Sequence, residues 1–232
     1  TRFTVGALSD AVNLPKSTTS RLVGALERHG LLARDPEDGS LLPGPAIDAY
    51  ARRARIDPSL TDLAQDLLES VATVTGETTT LSVPTPRGVE QIAQADGAYI
   101  LGSTNWMGRT VPFHASAVGK AMLAFGATAL PTGQLEQLTD KTLTIRADLV
   151  RDLEATRQRG YGLSVEEIEP GLIAIGAPVR GADRRVVAGV AIAGPSVRIT
   201  PDRYAAIGEL LVRTADELEA RITSHGLEEG AA

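Results

Sequence analysis

The sequence predicts an α+β protein of two domains: a small one with helices before two short strands, and a larger one with a sheet flanked by helices. Its 232 residues exceed the about 100–150 that are most common in one domain. Apolar residues recur at helical spacing before residue 30, and short apolar runs broken by Gly, Pro and Asp dominate much of the remaining chain. A hydrophobic content of 43% is enough for a core in each domain.

Residues 15–29 predict a helix with one apolar face. The apolar stripe comprises Thr19, Leu22, Val23 and Leu26, and the opposite side comprises Ser17, Ser20, Arg21, Gly24 and Arg28. Pro15 suits the first helical position, where a backbone N–H would be unpaired anyway. A shorter helix is expected from Val5 to Val12, with only Asn13 and Leu14 between the two.

After Gly30 the pattern is strand, turn and strand. Two short helices at a tight turn followed by such a wing are typical of a winged helix-turn-helix, whose second helix enters the DNA major groove. We therefore expect a DNA contact set of Lys16, Ser17, Thr18, Ser20 and Arg21. An ordinary helical hairpin packed in a core is the alternative that the spacing leaves open. Such a domain also needs a helix before Val5, which is missing from this sequence, so Leu22 and Leu26 should be partly exposed or covered by a partner.

The charge distribution is compatible with DNA binding. The whole chain has a net charge of −6, but residues 1–55 carry eight basic and six acidic side chains, a net +2, which leaves −8 for the remainder. Phosphate neutralisation is local, so a mildly basic domain beside an acidic one can bind DNA.

Composition excludes several other classes of protein. There is no cysteine, which rules out disulfides and fits a cytoplasmic location. No stretch approaches the about 20 apolar residues of a membrane span, and no signal peptide opens the sequence, so no membrane partner is expected. No cofactor motif is present, and we expect no cofactor and no metal.

The rest of the chain alternates between helical and strand patterns. Helices are expected over 46–56, 60–75, 116–124, 131–138, 147–159 and 200–224, and strands over 78–83, 89–95, 99–103, 161–167, 172–179 and 186–193. The first of these helices is expected to link the domains. The nearly all-apolar strand 172–179 should be central in the sheet, and Thr200 should cap the last helix. The loop 105–112, with the single tryptophan, suggests a cavity wall. The small residues that open the helix at Ser116 suit either an anion at its free N–H groups or close packing on the sheet.

Three segments together resemble the IclR-type bacterial transcription regulators. Leu14 to Gly30 resembles the recognition helix of that family, and Pro112 to Ala121 resembles the opening of its ligand domain. Gly160 to Val179, followed by Gly194, Pro195 and the run Arg198 to Thr200, resembles its C-terminal signature. The order and spacing match over nearly the whole chain.

The resemblance implies a winged helix-turn-helix domain (1–44), a linker helix (45–58) and a GAF-like effector domain with a central antiparallel sheet (59–232). It further implies a DNA-binding regulator, expected to repress a catabolic operon, that binds a double-stranded operator and a small organic or aromatic acid. A homodimer through the DNA-binding domains, or a homotetramer, is implied as well.

The effector would lie between the loop before His114, the helix after it and the central strands. The residues implied to line its site are Ile100, Met107, Val111, Ala117, Val118, Ser164, Ala174, Ala191 and Ala193. Ala174 stands where the family often has cysteine, and Ala191 and Ala193 where small hydroxyl residues are frequent. We therefore expect an effector that is bulkier and more apolar than a two- or three-carbon keto acid, with any carboxylate held by the N–H groups of residues 117–119.

Two other functions are weighed against this one. An enzyme could use His114, Ser164, Glu166 and Glu167, but no nucleophile elbow, phosphate loop or paired metal-binding histidines are present, so we expect no catalysis. His114 is expected to orient other groups by hydrogen bonding. A ligand-binding module without a DNA role is the second alternative, and the role of Arg21 distinguishes it from a regulator.

Overall fold

The computed structural model describes residues 4–35, 38–44, 46, 58–99 and 105–229. The chain divides into two units, Thr1–Asp57 and Pro58–Ala232. The expected linker helix over 46–56 lies outside the described residues except at Ala46. The strand expected over 99–103 lies outside them except at Tyr99, which is not in a strand.

The first unit is a helix-turn-helix with a wing, as predicted. Helix α1 spans Val5–Ala11 and α2 spans Lys16–Arg28. Strands β1 (Leu32–Arg34) and β2 (Leu41–Pro43) pair antiparallel to form the wing. The turn between the helices contains Asn13 with φ of 50°, a left-handed conformation that asparagine tolerates better than most residues.

Two details of α2 bear on its surface. Pro15 is the N-cap rather than the predicted first helical residue, because its ψ of 141° is extended and the helix begins one residue later. Its carbonyl still accepts the Thr19 N–H at 3.0 Å. Of the predicted apolar stripe, Thr19 and Val23 are buried, whereas Leu22 is 51% and Leu26 38% exposed.

The second unit is a six-stranded antiparallel sheet with helices on both faces, which confirms the predicted fold class. The helices are α3 (Pro58–Thr75), α4 (Ala117–Ala124), α5 (Arg146–Arg159) and α6 (Tyr204–Glu229), the last preceded by a 3₁₀ turn at Pro201–Arg203. The strands are β3 (Thr78–Thr85), β4 (Gly88–Ala95), β5 (Thr110–Val111), β6 (Gly162–Val165), β7 (Leu172–Arg180) and β8 (Val186–Pro195). Their order across the sheet is β5-β4-β3-β8-β7-β6.

Strand β7 is covered on both sides. A Cβ on Gly176 would lie 2.7 Å from the backbone nitrogen of Val118, so α4 lies directly on that face. Ile175 points to the other face and is fully buried, where α6 packs on β7. Double coverage explains the continuous apolar run of β7. The prediction that this strand is central is wrong, since β7 is next to the edge strand β6 and the middle of the sheet is β3 and β8.

One predicted helix is absent from the structure. Residues 131–138 form no helix, because their backbone groups are used elsewhere: the Glu136 carbonyl accepts from His114 Nε2 (2.9 Å), and the Leu138 N–H donates to Thr142 Oγ1 (3.1 Å). Thr200 is the N-cap of the 3₁₀ turn that opens the last helix, as predicted, and Pro201 follows it at the start of the turn, although the Thr200 side chain makes no capping hydrogen bond. Among the helices that the structure describes, none has the length and apolar character needed to cross a membrane.

Candidate functional site

The first candidate site is the N-terminal edge of α2. Exposed side chains there belong to Lys16, Ser17, Thr18, Ser20 and Arg21. Thr19, in their midst, is 2% exposed, and its Oγ1 donates to the Pro15 carbonyl at 3.2 Å. Burial of Thr19 and Val23 therefore fixes which side of α2 faces outward.

The electrostatics of this edge favour an anion. No acidic residue lies in the first turn of α2, and the N-cap residue provides no side-chain hydrogen bond. The free N–H groups and the positive end of the helix dipole therefore add to the charges of Lys16 and Arg21. Such an arrangement can hold a phosphate of a nucleic acid backbone.

The second candidate site is a cavity between the sheet and the N-terminus of α4. The space free of atoms there is about 420 Å³, a volume that includes open solvent at the cavity mouth. Its lining comprises Thr80, Gln91, Trp106, Val111, Ser116, Ala117, Val118, Ile168, Leu172, Ala174, Ala191, Ile192 and Ala193. None of these described lining residues is charged, so a ligand in the cavity would meet apolar groups, hydroxyls, one amide and backbone N–H groups.

The structure places some of the residues expected to line the effector site in the cavity wall and others elsewhere. Those that do line the cavity are Val111, Ala117, Val118, Ala174, Ala191 and Ala193. Met107 does not, because its side chain is on the surface of the loop and 47% of the residue is exposed. Ser164 does not either, because its hydroxyl is buried and donates to the Ala115 carbonyl at 2.7 Å. Ile100 lies outside the described residues.

Several lining residues were not predicted from the sequence. They are Thr80, Gln91, Trp106, Ser116, Ile168, Leu172 and Ile192. Trp106 and Ser116 had a signal, since the loop that carries Trp106 was expected to form a cavity wall and the helix that opens at Ser116 was expected to border the effector. Thr80 lies opposite Ala191 in the pairing of β3 with β8, so the position of Ala191 would have located Thr80 had the strand register been known.

The first turn of α4 has two N–H groups without a hydrogen-bond partner in the described part of the chain. Ser116 uses its carbonyl to accept the Lys120 N–H (2.9 Å) and its hydroxyl to accept the Gly119 N–H (3.2 Å). Of the N–H groups expected to hold a carboxylate, that of Gly119 is therefore already bonded, whereas those of Ala117 and Val118 have no hydrogen-bond partner among the described residues. Close packing also accounts for the small residues, because a Cβ on Gly162 would lie 2.0 Å from the Ala117 carbonyl oxygen.

A buried ion cluster lies beside α4. Lys120 is 1% exposed, and its Nζ contacts Glu167 Oε1 at 2.5 Å, Asp152 Oδ2 at 3.2 Å and the Leu163 carbonyl at 3.0 Å. Burial raises the pKa of Glu167, and the positive charge of Lys120 opposes that rise. The cluster joins α4 to α5 and to the end of β6, and so holds the helix at the cavity wall.

Each group of the hypothetical enzyme is bonded to a partner outside that set. His114 donates to the Glu136 carbonyl, as an orienting role requires, and Ser164 is bonded to Ala115. Glu166 pairs with Lys141 at 2.7 Å, and hydrogen bonding from Lys141 lowers its pKa. Among the residues that the structure describes, no group of three or more metal-ligating side chains is present.

Comparison with known proteins gives consistent results in both units. Residues 57–220 match the model of the bacterial transcriptional regulator IclR C-terminal domain, and residues 1–36 match the IclR helix-turn-helix domain. The chain is 31% identical over 225 residues to the HTH-type transcriptional regulator BhcR of Paracoccus denitrificans, covering 93% of this chain and 79% of that protein. It is 29% identical to the HTH-type transcriptional repressor AllR of Escherichia coli, covering 94% and 82%.

Solved structures agree with these matches. The Thermotoga maritima IclR structure has a TM-score of 0.67 at 25% identity and covers 96% of this chain and 92% of that one. The Agobacterium tumefaciens repressor BlcR has a TM-score of 0.65 at 26% identity, with coverages of 96% and 90%.

A helix-turn-helix unit with an exposed second helix, followed by a domain that contains an apolar cavity, defines a DNA-binding transcription regulator. The matched relatives are regulators of this class and not enzymes. The chain belongs to the IclR family of bacterial transcriptional regulators.

Proposed function

We propose that this regulator is a cytoplasmic repressor of a catabolic operon and that an organic or aromatic acid bound in the cavity controls its affinity for the operator. The observation that carries the effector proposal is the apolar cavity at the N-terminus of α4, with Ala117 and Val118 in its wall. Repression is supported by two relatives that are named as repressors, AllR and BlcR.

Residues 1–44 contact the operator in this proposal, through Lys16, Ser17, Thr18, Ser20 and Arg21. Ser17 and Arg21 contact base edges, and Lys16 and Thr18 contact phosphates. Residues 45–58 link this domain to the effector domain, 59–232. The support is the exposure of all five side chains beside the buried Thr19.

The effector has an apolar body larger than that of a two- or three-carbon keto acid. Ala174, Ala191 and Ala193 supply no hydrogen-bonding side-chain groups to the cavity, whereas Trp106, Val118 and Ile168 supply apolar surface. The carboxylate is held at the N-terminus of α4, where the unpaired N–H groups and the helix dipole favour negative charge.

The protein acts as a homodimer or homotetramer in this proposal. An operator reader of this kind generally binds two half-sites through two copies of its recognition helix. The exposed apolar residues of the first unit support a partner contact; they are Val12, Leu14, Leu22, Leu26 and Leu31.

A thermal-shift screen tests the effector class. At about one hundred times their Kd, aromatic acids such as benzoate are expected to raise the Tm by about 5–10 °C, while glyoxylate and pyruvate leave it unchanged. Ala174→Phe should fill the cavity and abolish the shift without changing DNA affinity. The control is Ala147→Phe on the exposed side of α5, which should keep the shift. Stabilisation by glyoxylate and pyruvate alone would contradict the proposal.

Operator affinity is expected to fall steeply with salt. If about five phosphates or more are neutralised in the complex, the logarithm of the association constant should fall with the logarithm of salt concentration at a slope of about −4.5 or steeper. Fluorescence anisotropy on labelled DNA between low and physiological salt measures this slope. A slope near zero would show that phosphate contacts do not drive the binding.

A further inference from the structure

We propose that the side-chain amide of Gln91 selects effectors that carry a hydrogen-bond donor, such as a hydroxyl, in addition to their carboxylate. The inference rests on the proposed function, because it concerns the cavity in which the effector binds. It defines the chemical class of the effector more narrowly and identifies Gln91 as the residue that determines specificity for that class.

Gln91 is an unsatisfied polar group in the cavity wall. The residue is only 6% exposed and lines the cavity from β4, and its Oε1 atom is buried without a hydrogen-bond partner among the described residues. Buried amide oxygens are rarely left unpaired, because they lose their hydrogen bonds to water and gain nothing in return. A ligand that donates to Oε1 would remove that cost.

A second glutamine on the same strand shows the contrast. Gln94 Oε1 accepts the backbone N–H of Trp106 at 2.9 Å, and its Nε2 donates to Asp96 at 2.6 Å. Gln94 therefore holds the loop that carries the tryptophan wall of the cavity. Gln91 has its backbone bonded to the same loop, through Gly108 and Arg109, while its side-chain oxygen is left for another partner.

The other polar side chains of the lining offer a ligand few hydrogen-bond acceptors. The Ser116 hydroxyl is occupied, since it donates to the Pro112 carbonyl at 2.9 Å and accepts from Gly119. Thr80 contributes one hydroxyl from β3. With no charged side chain among the described lining residues, the amide of Gln91 is the strongest side-chain acceptor that a ligand in the cavity would meet.

An unpaired acceptor at Gln91 Oε1 favours effectors that carry a hydrogen-bond donor. An ionised carboxylate has no donor, so an unsubstituted aromatic acid leaves Gln91 Oε1 unpaired when it displaces water from the cavity. A hydroxylated acid donates its O–H to Oε1 while its carboxylate contacts the N-terminus of α4. A methoxy group occupies similar space but cannot donate, so it separates hydrogen bonding from size.

An internal partner for Gln91 is the competing explanation. Ser82 lies opposite Gln91 in the β3–β4 pairing, and its buried hydroxyl also has no partner among the described residues. If the amide served only to pair with Ser82 after a small rotation, Ser82→Ala would have the same effect on ligands as a change at Gln91. The test therefore includes both variants.

The experiment is isothermal titration of the full chain with benzoate, 3- and 4-hydroxybenzoate and the matching methoxybenzoates. At least one hydroxylated isomer is expected to bind about tenfold or more tightly than benzoate and than its methoxy analogue. Gln91→Leu should remove that preference, so that the hydroxylated isomer no longer binds more tightly than benzoate or its methoxy analogue, and it should not lower the Tm, since Oε1 makes no bond within the described part of the protein. Ser82→Ala should keep the preference.

The possible failures are distinct. If benzoate binds and Ala174→Phe blocks it, but hydroxylation brings no advantage or Gln91→Leu keeps the advantage, this inference is wrong and the proposed function stands. Loss of the preference in Ser82→Ala also overturns it. If no acid of the series binds in the cavity, the proposed aromatic-acid effector fails, and this inference fails with it.

Discussion

Replacing Lys120 by methionine is expected to lower the free energy of unfolding by about 3–5 kcal/mol at pH 8. The side chain is 1% exposed and contacts Glu167 and Asp152. Methionine is similar in length but cannot neutralise them, so the buried Glu167 carboxylate would lose the cation that faces it. Asp152 keeps a second cation, Arg159, at 3.7 Å. Urea denaturation followed by circular dichroism measures the change.

The loss should depend on pH in a defined direction. Burial already raises the pKa of Glu167, and removal of Lys120 removes the main opposing effect, so the pKa in the folded variant rises further. A carboxyl group whose pKa is raised by folding destabilises the folded protein as the pH rises. The loss begins near the pKa of the group in the unfolded chain, about 4.5, and is complete above its pKa in the folded protein. The deficit of the variant relative to the unmodified protein should therefore be smaller at pH 5 than at pH 8.

Lys141→Met is the matched control, because Lys141 forms a similar pair with the neighbouring Glu166 at 2.7 Å but its side chain is 56% exposed. Solvent screens that pair, and little change in stability is expected. The double variant Lys120→Met with Glu167→Leu should recover much of the loss, since an apolar pair can replace a buried ion pair. Equal stabilities for Lys120→Met and Lys141→Met would contradict the assignment of Lys120 as a buried structural cation.

Arg21→Ala is expected to weaken operator binding by about 1–3 kcal/mol, roughly 5- to 150-fold, without changing stability. Arg21 is exposed on the N-terminal half of α2, next to Ser17 and Ser20. A guanidinium at this edge can donate two hydrogen bonds to a guanine, and alanine retains none of them. The affinity is measured on a DNA fragment that the protein itself selects from a random-sequence pool.

Arg28→Ala is the matched control for this variant. Arg28 is also exposed but lies in the last turn of α2, far along the helix from the proposed groove edge. Its loss removes the same charge and should weaken binding much less. Equal losses for the two variants, or an equal loss for Arg21→Ala on selected and random DNA, would show that Arg21 contributes charge and does not read bases. If the unmodified protein selected no fragment from the pool, a ligand-binding module without a DNA role would be favoured.

Local elements were the part of the fold most accessible from the sequence. Helix α2 and the wing follow from apolar spacing and turn residues within a short segment. Both are present, and each end of α2 is within one residue of its expected bound. The failed helix over 131–138 shows the limit of that method. Its apolar positions suit a helix, but Leu135 is buried in a core with Leu149 and Leu153 while the backbone bonds to other segments.

The residues that line the ligand cavity could be predicted from the sequence only in part. The resemblance located the small residues of β7 and β8, but it could not locate Thr80 or Gln91, because the face to which a strand residue points depends on register. The β3–β4 pairing shifts register between Leu81 and Ser82. A period-two pattern in either strand does not reveal such a shift.

The sequence by itself determined the domain order, the exposed edge of α2 and the family, since each depends on short-range patterns or on motifs read along the chain. Only the tertiary structure decided what the motif residues do. Lys120 contacts Glu167, which is 47 residues further along the chain. Arg198 donates two hydrogen bonds of 2.7 Å to the buried Glu77, which is 121 residues away in the sequence. Burial and pairing of charges arise from contacts between distant segments, and those contacts exist only once the sheet and its helices have assembled.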